Sequence, residues 1–127
     1  MLPENDAAGE VVDAAYRIHK TWGPGLHESA YAAALEAELK KRGREVVGQQ
    51  RIDVVWDDVV VADAFGADFI IDGCLIVELK SVERVAPVHG KQVLTYLRLS
   101  GMRLGLLINF GAETIRQGVR RIANGMP

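Results

Sequence analysis

The sequence predicts an α/β (α+β) fold in which helices flank one central mixed β-sheet, with elements in the order ααβββαβ. Three observations predict it. Apolar side chains recur at helical spacing through the first 42 residues. Residues 46–80 are rich in β-branched side chains and are divided by two acidic turns. A segment opened by Pro87 is then followed by the apolar run LGLLINF, residues 104–110. Helical segments on both sides of strand-like ones pack as layers around a sheet.

Each element has its own signal. Asn5 or Asp6 can cap a first helix that reaches about Trp22, with Glu10 in its early turns and Val11, Val12, Ala15, Ile18 and Trp22 as its apolar stripe. Gly23-Pro24-Gly25 breaks that helix. A second runs from about His27 to Arg42, with Tyr31, Leu35 and Leu39 four residues apart and Lys40, Lys41 and Arg42 at its negative end. Gly43 stops it. VVGQQRIDVVW and VVVADAFGADFII read as strands joined at Asp57-Asp58, and Asp72-Gly73 turns the chain into CLIVELK. Pro87 opens a third helix that Gly101 closes after Ser100. LGLLINF suits an interior strand ended by Gly111. The tail ETIRQGVRRIA fits a helix through Ile115, Val119 and Ile122, but Gly118 weakens that pattern and leaves a closing strand open.

At 127 residues the length fits a single domain, 1–127. With 49% hydrophobic and 25% charged residues the composition is that of a folded globular protein. The net charge of −2 excludes a global polycation, so any nucleic-acid surface must be a local patch. One cysteine, Cys74, excludes an internal disulfide framework and a multi-cysteine zinc site, and its apolar setting marks a small core residue. No run of about 18 apolar residues is present, and the N-terminus lacks a basic segment followed by an apolar one. A soluble, cytoplasmic protein without membrane contact is expected.

Chemistry concentrates in GADFIIDGCLIVELK, Gly66 to Lys80, an apolar hairpin carrying Asp68 near its start and Glu78 and Lys80 at its end. Charges are costly to bury unless paired, hydrogen-bonded or holding a metal. A two-residue turn at Asp72-Gly73 would place Asp68 and Glu78 on opposite faces. A three-residue loop, Ile71-Asp72-Gly73, instead pairs Ile70 with Cys74, Asp68 with Ile76 and Gly66 with Glu78. Asp68, Glu78 and Lys80 then share one face and leave Phe69, Leu75, Val77 and Leu79 on a wholly apolar one. This second register is the expected one. Two carboxylates a diagonal step apart repel unless a positive group lies between them, and a hard divalent ion such as Mg²⁺ is the usual answer. Lys80 can orient or help deprotonate a water there. The same pattern also fits a buried Lys–carboxylate network that only holds the sheet together.

Two other stretches add to this set. His89, Gln92 and Tyr96 lie on one stripe of the third helix, apart from Leu94 and Leu97. Glu28 and Tyr31 lie on adjacent turns at the start of the second helix, where Glu28 alone would be read as a first-turn acid.

Together these residues resemble the GxxExxY family, a small branch of the PD-(D/E)XK nuclease-like superfamily. Gly25, Glu28 and Tyr31 match the naming motif. Asp68, Glu78, Leu79 and Lys80 match the acid and E-x-K signature, Gln92 to Tyr96 the Q-x-x-x-Y helix, and RLGLLINFG (103–111) the strand that follows. The resemblance runs from about Val11 to Ile122. It implies a restriction-endonuclease-like core with its site at the charged end of the hairpin. It further implies Mg²⁺, or Mn²⁺ in its place, held by Asp68 and Glu78 with the main-chain carbonyl of Leu79, and Glu28 as an additional acid. Lys80 would act on the attacking water, and Gln92 and Tyr96 would support the metal shell or the scissile phosphate. The implied reaction is hydrolysis of a DNA phosphodiester. Ala67 stands where the superfamily has proline, and Gly66 where the family more often has arginine.

Candidate phosphate contacts are Lys91 and Arg98 on the third helix and Arg84 after the E-L-K strand, with Arg116, Arg120 and Arg121 in the tail. Lys40, Lys41, Arg42 and Arg44 read as a solvated helix end, and His89 as a polar residue packed near the site. The competing class of function is a non-catalytic nucleic-acid or protein-binding module that kept the fold. A homodimer is a further possibility, because a small catalytic core often needs a second copy to grip both strands.

Overall fold

The computed structural model describes residues 1–126, and its elements run α1 (Pro3–Trp22), α2 (Glu28–Lys41), β1 (Val46–Trp56), β2 (Val59–Ile71), β3 (Leu75–Lys80), α3 (Pro87–Ser100), β4 (Leu104–Asn109), α4 (Ile115–Gly118) and β5 (Val119–Ala123). The strands form one mixed sheet in the order β1-β2-β3-β4-β5. Among the described residues only the β3–β4 pair is parallel, joined by the α3 crossover; the other neighbours are antiparallel. This is an α+β arrangement consistent with a PD-(D/E)XK core. No helix among the described residues is long and apolar enough to cross a membrane.

The layers follow from strand alternation. Phe69, Ile71, Leu75, Val77, Leu79, Leu104, Leu106 and Ile108 face α1 and α2 and form the larger core with Val11, Ala15, Tyr31, Leu35 and Leu39. Ile70 and Ile76 face α3 and meet Val93 and Leu97. Gly105 admits α3 to this face, because a Cβ there would lie 2.7 Å from Val93 Cγ1. Alternation lapses at Asp68. Ala67 joins the α3 cluster, and the Phe65 ring stacks on Tyr96 at 4.4 Å. Gln49, opposite Asp68 in the β1 register, is left-handed at φ 54° and drops out of the ladder.

Several sequence expectations need correction. α1 begins at Pro3, before Asn5 and Asp6, because proline is favoured at the first helical position, and no side chain caps it. Trp22 leaves the apolar stripe and is 49% exposed, while Ala7, Ala8 and Ala14 fill the buried face. The basic cluster after α2 is no free solvated end. Arg42 pairs with Glu10, Asp13 and Glu38 at 2.8 Å each, and Arg44 with Asp6 and Asp72 at 2.8 Å. These guanidiniums bolt the end of α2 to α1 and to the β2–β3 turn. The tail is both helix and strand: Thr114 caps a single turn, and β5 then closes the sheet against β4.

The β2–β3 register is also corrected. The loop has three residues, but they are Asp72, Gly73 and Cys74, with Ile71 opposite Leu75, Ile70 opposite Ile76 and Phe69 opposite Val77. Ile71 is fully buried, so keeping it in the ladder avoids exposing an apolar side chain at the turn. Asp72 and Gly73 take the left-handed conformations (φ 52° and 66°), and Asp72 is tied down by Arg44 and by the Glu45 N–H. The slide is two steps of register, which preserves which side chains share a face.

Candidate active site

In the corrected register Asp68 and Glu78 fall directly opposite one another instead of diagonally. The backbone ladder ends at Phe69–Val77, and the two carboxylates replace it beyond that point. The Asp68 N–H donates to Glu78 Oε1 at 3.0 Å, and the Leu79 N–H donates to Asp68 Oδ2 at 2.8 Å. Each acid thus holds the backbone of the strand that carries the other. Burial, and next the Asp68 charge, push the Glu78 carboxyl up to about 8, so it carries a proton near neutrality.

Lys80 is half-buried two residues beyond Glu78 and makes no ion pair among the described residues. The network reading of the sequence therefore lacks the ion pair it requires. The strand end that carries Lys80 is locked on its other side. Lys80 O accepts from the Phe110 N–H at 2.8 Å. Asn109, beside Lys80 in the parallel ladder and 4% exposed, donates to Val82 O and accepts from the Val82 and Gly111 N–H groups. Asn109 was not singled out from the sequence, although a lone polar residue ending an apolar run was a usable signal.

Glu28 comes from the other side. It stands at the first position of α2, and its carboxyl is raised by burial and then by the Asp68 charge, with Lys80 and His89 pulling it back. It is exposed at the mouth of a cleft, within reach of the Asp68 and Lys80 charges. Its loop is strapped down. The buried Tyr31 ring stacks on Phe110 at 4.4 Å; its hydroxyl accepts from the Leu26 N–H at 3.2 Å and donates to Gly23 O. Leu26 O in turn accepts from Ser81 Oγ at 2.6 Å, next to Lys80. The α1–α2 loop and the segment after β3 border a cleft of about 470 Å³ that includes Glu28 and Ser81. No sequence signal links Leu26 to Ser81, 55 residues apart.

From α3, the half-buried Tyr96 ring stacks on Phe65, and its phenol is raised by burial and then by the Glu78 and Asp68 charges. Gln92, one turn earlier, is exposed, and its side chain makes no hydrogen bond among the described residues. His89 Nδ1 accepts from the Ala86 N–H at 3.2 Å, which ties it into the start of α3. Lys91, Arg98 and Arg84 are exposed and free of ion pairs among the described residues, unlike Arg42, Arg44 and Arg103. Cys74 sits in the turn, partly buried against the larger core, with its thiol raised chiefly by burial.

Two opposed carboxyl groups, close enough for the Asp68 charge to push Glu78 up, are a donor set of hard oxygens that suits a divalent cation once Glu78 gives up its proton. No third Asp, Glu, His or Cys joins the pair closely enough to complete a ligand cluster among the described residues. Two protein carboxylates, with water filling the remaining positions, are sufficient for magnesium-like ions.

A mixed sheet whose antiparallel hairpin ends in opposed acids, with a lysine two residues on, defines a nuclease-like architecture. The sequence comparisons agree: residues 5–122 match the PD-(D/E)XK nuclease superfamily, and the chain belongs to it. No curated protein and no solved structure matches the chain.

Proposed function

We propose that the chain is a metal-dependent nuclease of the GxxExxY branch, a single catalytic domain over 1–127 that hydrolyses DNA phosphodiester bonds in the cytoplasm. The observation that carries this reading is the opposed Asp68–Glu78 pair, each acid accepting a backbone N–H from the strand of the other, beside a Lys80 that makes no ion pair among the described residues. Mg²⁺, with Mn²⁺ as substitute, fits these oxygens; Asp68 and Glu78 would hold it with the Leu79 carbonyl, and Glu28, too far to complete a ligand cluster with them, would act as an additional acid outside the ligand set. Such an ion supplies Lewis acidity toward the phosphodiester and the attacking water.

The chain's own residues do the remaining work. Asp68 and Glu78 fix each other's strand through the Leu79 and Asp68 amides, so the oxygens that face the site are pre-oriented. Lys80 orients the attacking water and balances charge developing on the phosphoryl oxygens. The Tyr96 hydroxyl and the Gln92 amide support the scissile phosphate from α3. Lys91, Arg98 and Arg84 contact flanking phosphates of the strand.

The test is cleavage of supercoiled and linear DNA with Mg²⁺, together with Mn²⁺ calorimetry on the same samples. Wild-type protein should nick DNA and release binding heat. Glu78→Ala should abolish both, and Lys80→Ala should lose activity at least roughly a hundredfold while keeping the metal. Absence of metal binding and cleavage, with DNA or protein binding retained, would refute the catalytic reading in favour of a binding module.

A further inference from the structure

Two walls form the cleft at Glu28, the segment after β3 (residues 81–83) and the α1–α2 loop (residues 24–28). The first wall is rigid. Lys80 O accepts from the Phe110 N–H, and the Asn109 side chain takes both the N–H and the carbonyl of Val82, so Ser81 is clamped on each side. The second wall has less to hold it. Gly23 and Gly25 sit at φ 70° and 110°, conformations that glycine reaches freely but does not lock. Leu26 is 42% exposed, so burial does not anchor it. The exposed Glu28 carboxyl makes no hydrogen bond or ion pair among the described residues, and its place is set by the backbone that carries it.

Two hydrogen bonds to Leu26 make up the difference. The Tyr31 hydroxyl accepts the Leu26 N–H, but Tyr31 belongs to α2, so that bond joins the loop only to its own helix. The other runs from Ser81 Oγ to Leu26 O at 2.6 Å and spans 55 residues. Among the described residues it is the one hydrogen bond that ties this loop to the sheet. It also closes a circuit. Lys80 is bonded to Phe110, the Phe110 ring stacks on Tyr31, Tyr31 holds Leu26, and Leu26 returns to Ser81, the neighbour of Lys80. Lys80 is a member of that circuit, and Glu28 lies two residues from Leu26.

We propose that Ser81 is a positioning residue for Glu28: its hydroxyl sets the spacing between that acid and Lys80, so that both reach one scissile phosphate. The proposal rests on the nuclease reading and adds what keeps that site assembled. Ser81 acts through Leu26 and not on the reacting atoms. A hydroxyl on a one-carbon stem between two backbone clamps suits this role, because few rotamers are open to it and its donor end is fixed. Alanine would leave the Leu26 carbonyl to water and free the loop to carry Glu28 away from Lys80. A misplacement of about 1 Å in a catalytic constellation is enough to lose roughly a hundredfold in rate. The acid pair lies outside the circuit. Asp68 and Glu78 are held by the amides of each other's strands, so a change at Ser81 leaves their oxygens where they are.

The test is steady-state cleavage of linear DNA with Mg²⁺, with Mn²⁺ calorimetry on the same samples of the full chain. Ser81→Ala should lower kcat roughly ten- to a hundredfold, while KM for DNA, Mn²⁺ affinity and the circular dichroism spectrum keep their wild-type values. Ser81→Thr, which retains the hydroxyl, should restore kcat. In a Glu28→Gln background Ser81→Ala should add nothing further, because its effect passes through that acid. A hydroxyl that only stabilises the loop would lower the urea midpoint and leave kcat unchanged, or would multiply its loss onto that of Glu28→Gln; either result overturns the proposal. A wild type that cleaves no faster than Ser81→Ala overturns the proposal alone. A wild type that neither binds Mn²⁺ nor cleaves overturns the nuclease reading, and this proposal with it.

Discussion

Replacing Glu78 by glutamine should make the metal-free protein more stable, and by an amount that grows with pH. Glu78 titrates near 8 in the fold and near 4.5 in the unfolded chain. Between those values the unfolded state releases a proton that the folded state retains, so it binds fewer protons and gains stability as pH rises. The wild type therefore loses about 1.4 kcal/mol per pH unit across the window, on the order of 5 kcal/mol in all. Glutamine keeps the oxygen that accepts from the Asp68 N–H and cannot ionise. Urea midpoints for both proteins in chelator, at intervals from pH 5 to pH 8, give the difference directly. The advantage of Glu78→Gln should be small at pH 5 and reach several kcal/mol by pH 8. Saturating Mn²⁺ should cancel it by stabilising only the wild type, with proton release on binding. A flat difference would refute the reasoning. So would an advantage that falls with pH, which is the sign expected if Lys80 held Glu78 ionised in a structural ion pair.

Two further perturbations test the frame around the acids. Tyr31→Phe keeps the ring stack on Phe110 but strands the Leu26 N–H and Gly23 carbonyl; it should cost about 1–3 kcal/mol in thermal or urea unfolding and remove exchange protection from the Leu26 amide. Gly111→Ala should cost about 1–3 kcal/mol or more, read the same way, because the added Cβ would fall 2.2 Å from Val82 O, a backbone atom in the segment that Asn109 latches beside Lys80.

The particular errors and successes of the sequence reading share a physical origin. The bounds of β1 and β2 were legible because β-branched runs and an Asp-Asp turn are local signals. Which face each acid occupies was legible too, although the loop was misplaced by one residue. Side chains alternate with a period of two, and the slip amounted to two steps of register. Direct opposition of Asp68 and Glu78 was not legible, since it turned on whether Ile71 would enter the turn or the core. The basic cluster at Arg42 and Arg44 looked solvated because its partners other than Glu38 lie 28 to 38 residues away, and no periodicity reports those. The Ser81–Leu26 and Asn109–Val82 latches were hidden for the same reason. Of the candidate site, the types of residue were readable, and the devices that hold them in place were not.

Those devices explain why a destabilising pair of acids survives in a sheet of this size. A strand pair that ended at Phe69–Val77 would leave the Asp68 and Leu79 amides without ladder partners, and the carboxylates take exactly the two bonds the backbone gives up, one each. Removing an acid outright therefore differs from neutralising it. Glu78→Gln relieves charge and keeps the bond, whereas Glu78→Ala relieves charge and strands the Asp68 N–H, offsetting part of the gain by about 1–3 kcal/mol. The repulsion is thus built into an element that the β2–β3 hairpin needs for its own hydrogen bonding. A counter-cation can relieve it without any rearrangement of the strands, which is what a preformed metal site in a small domain requires.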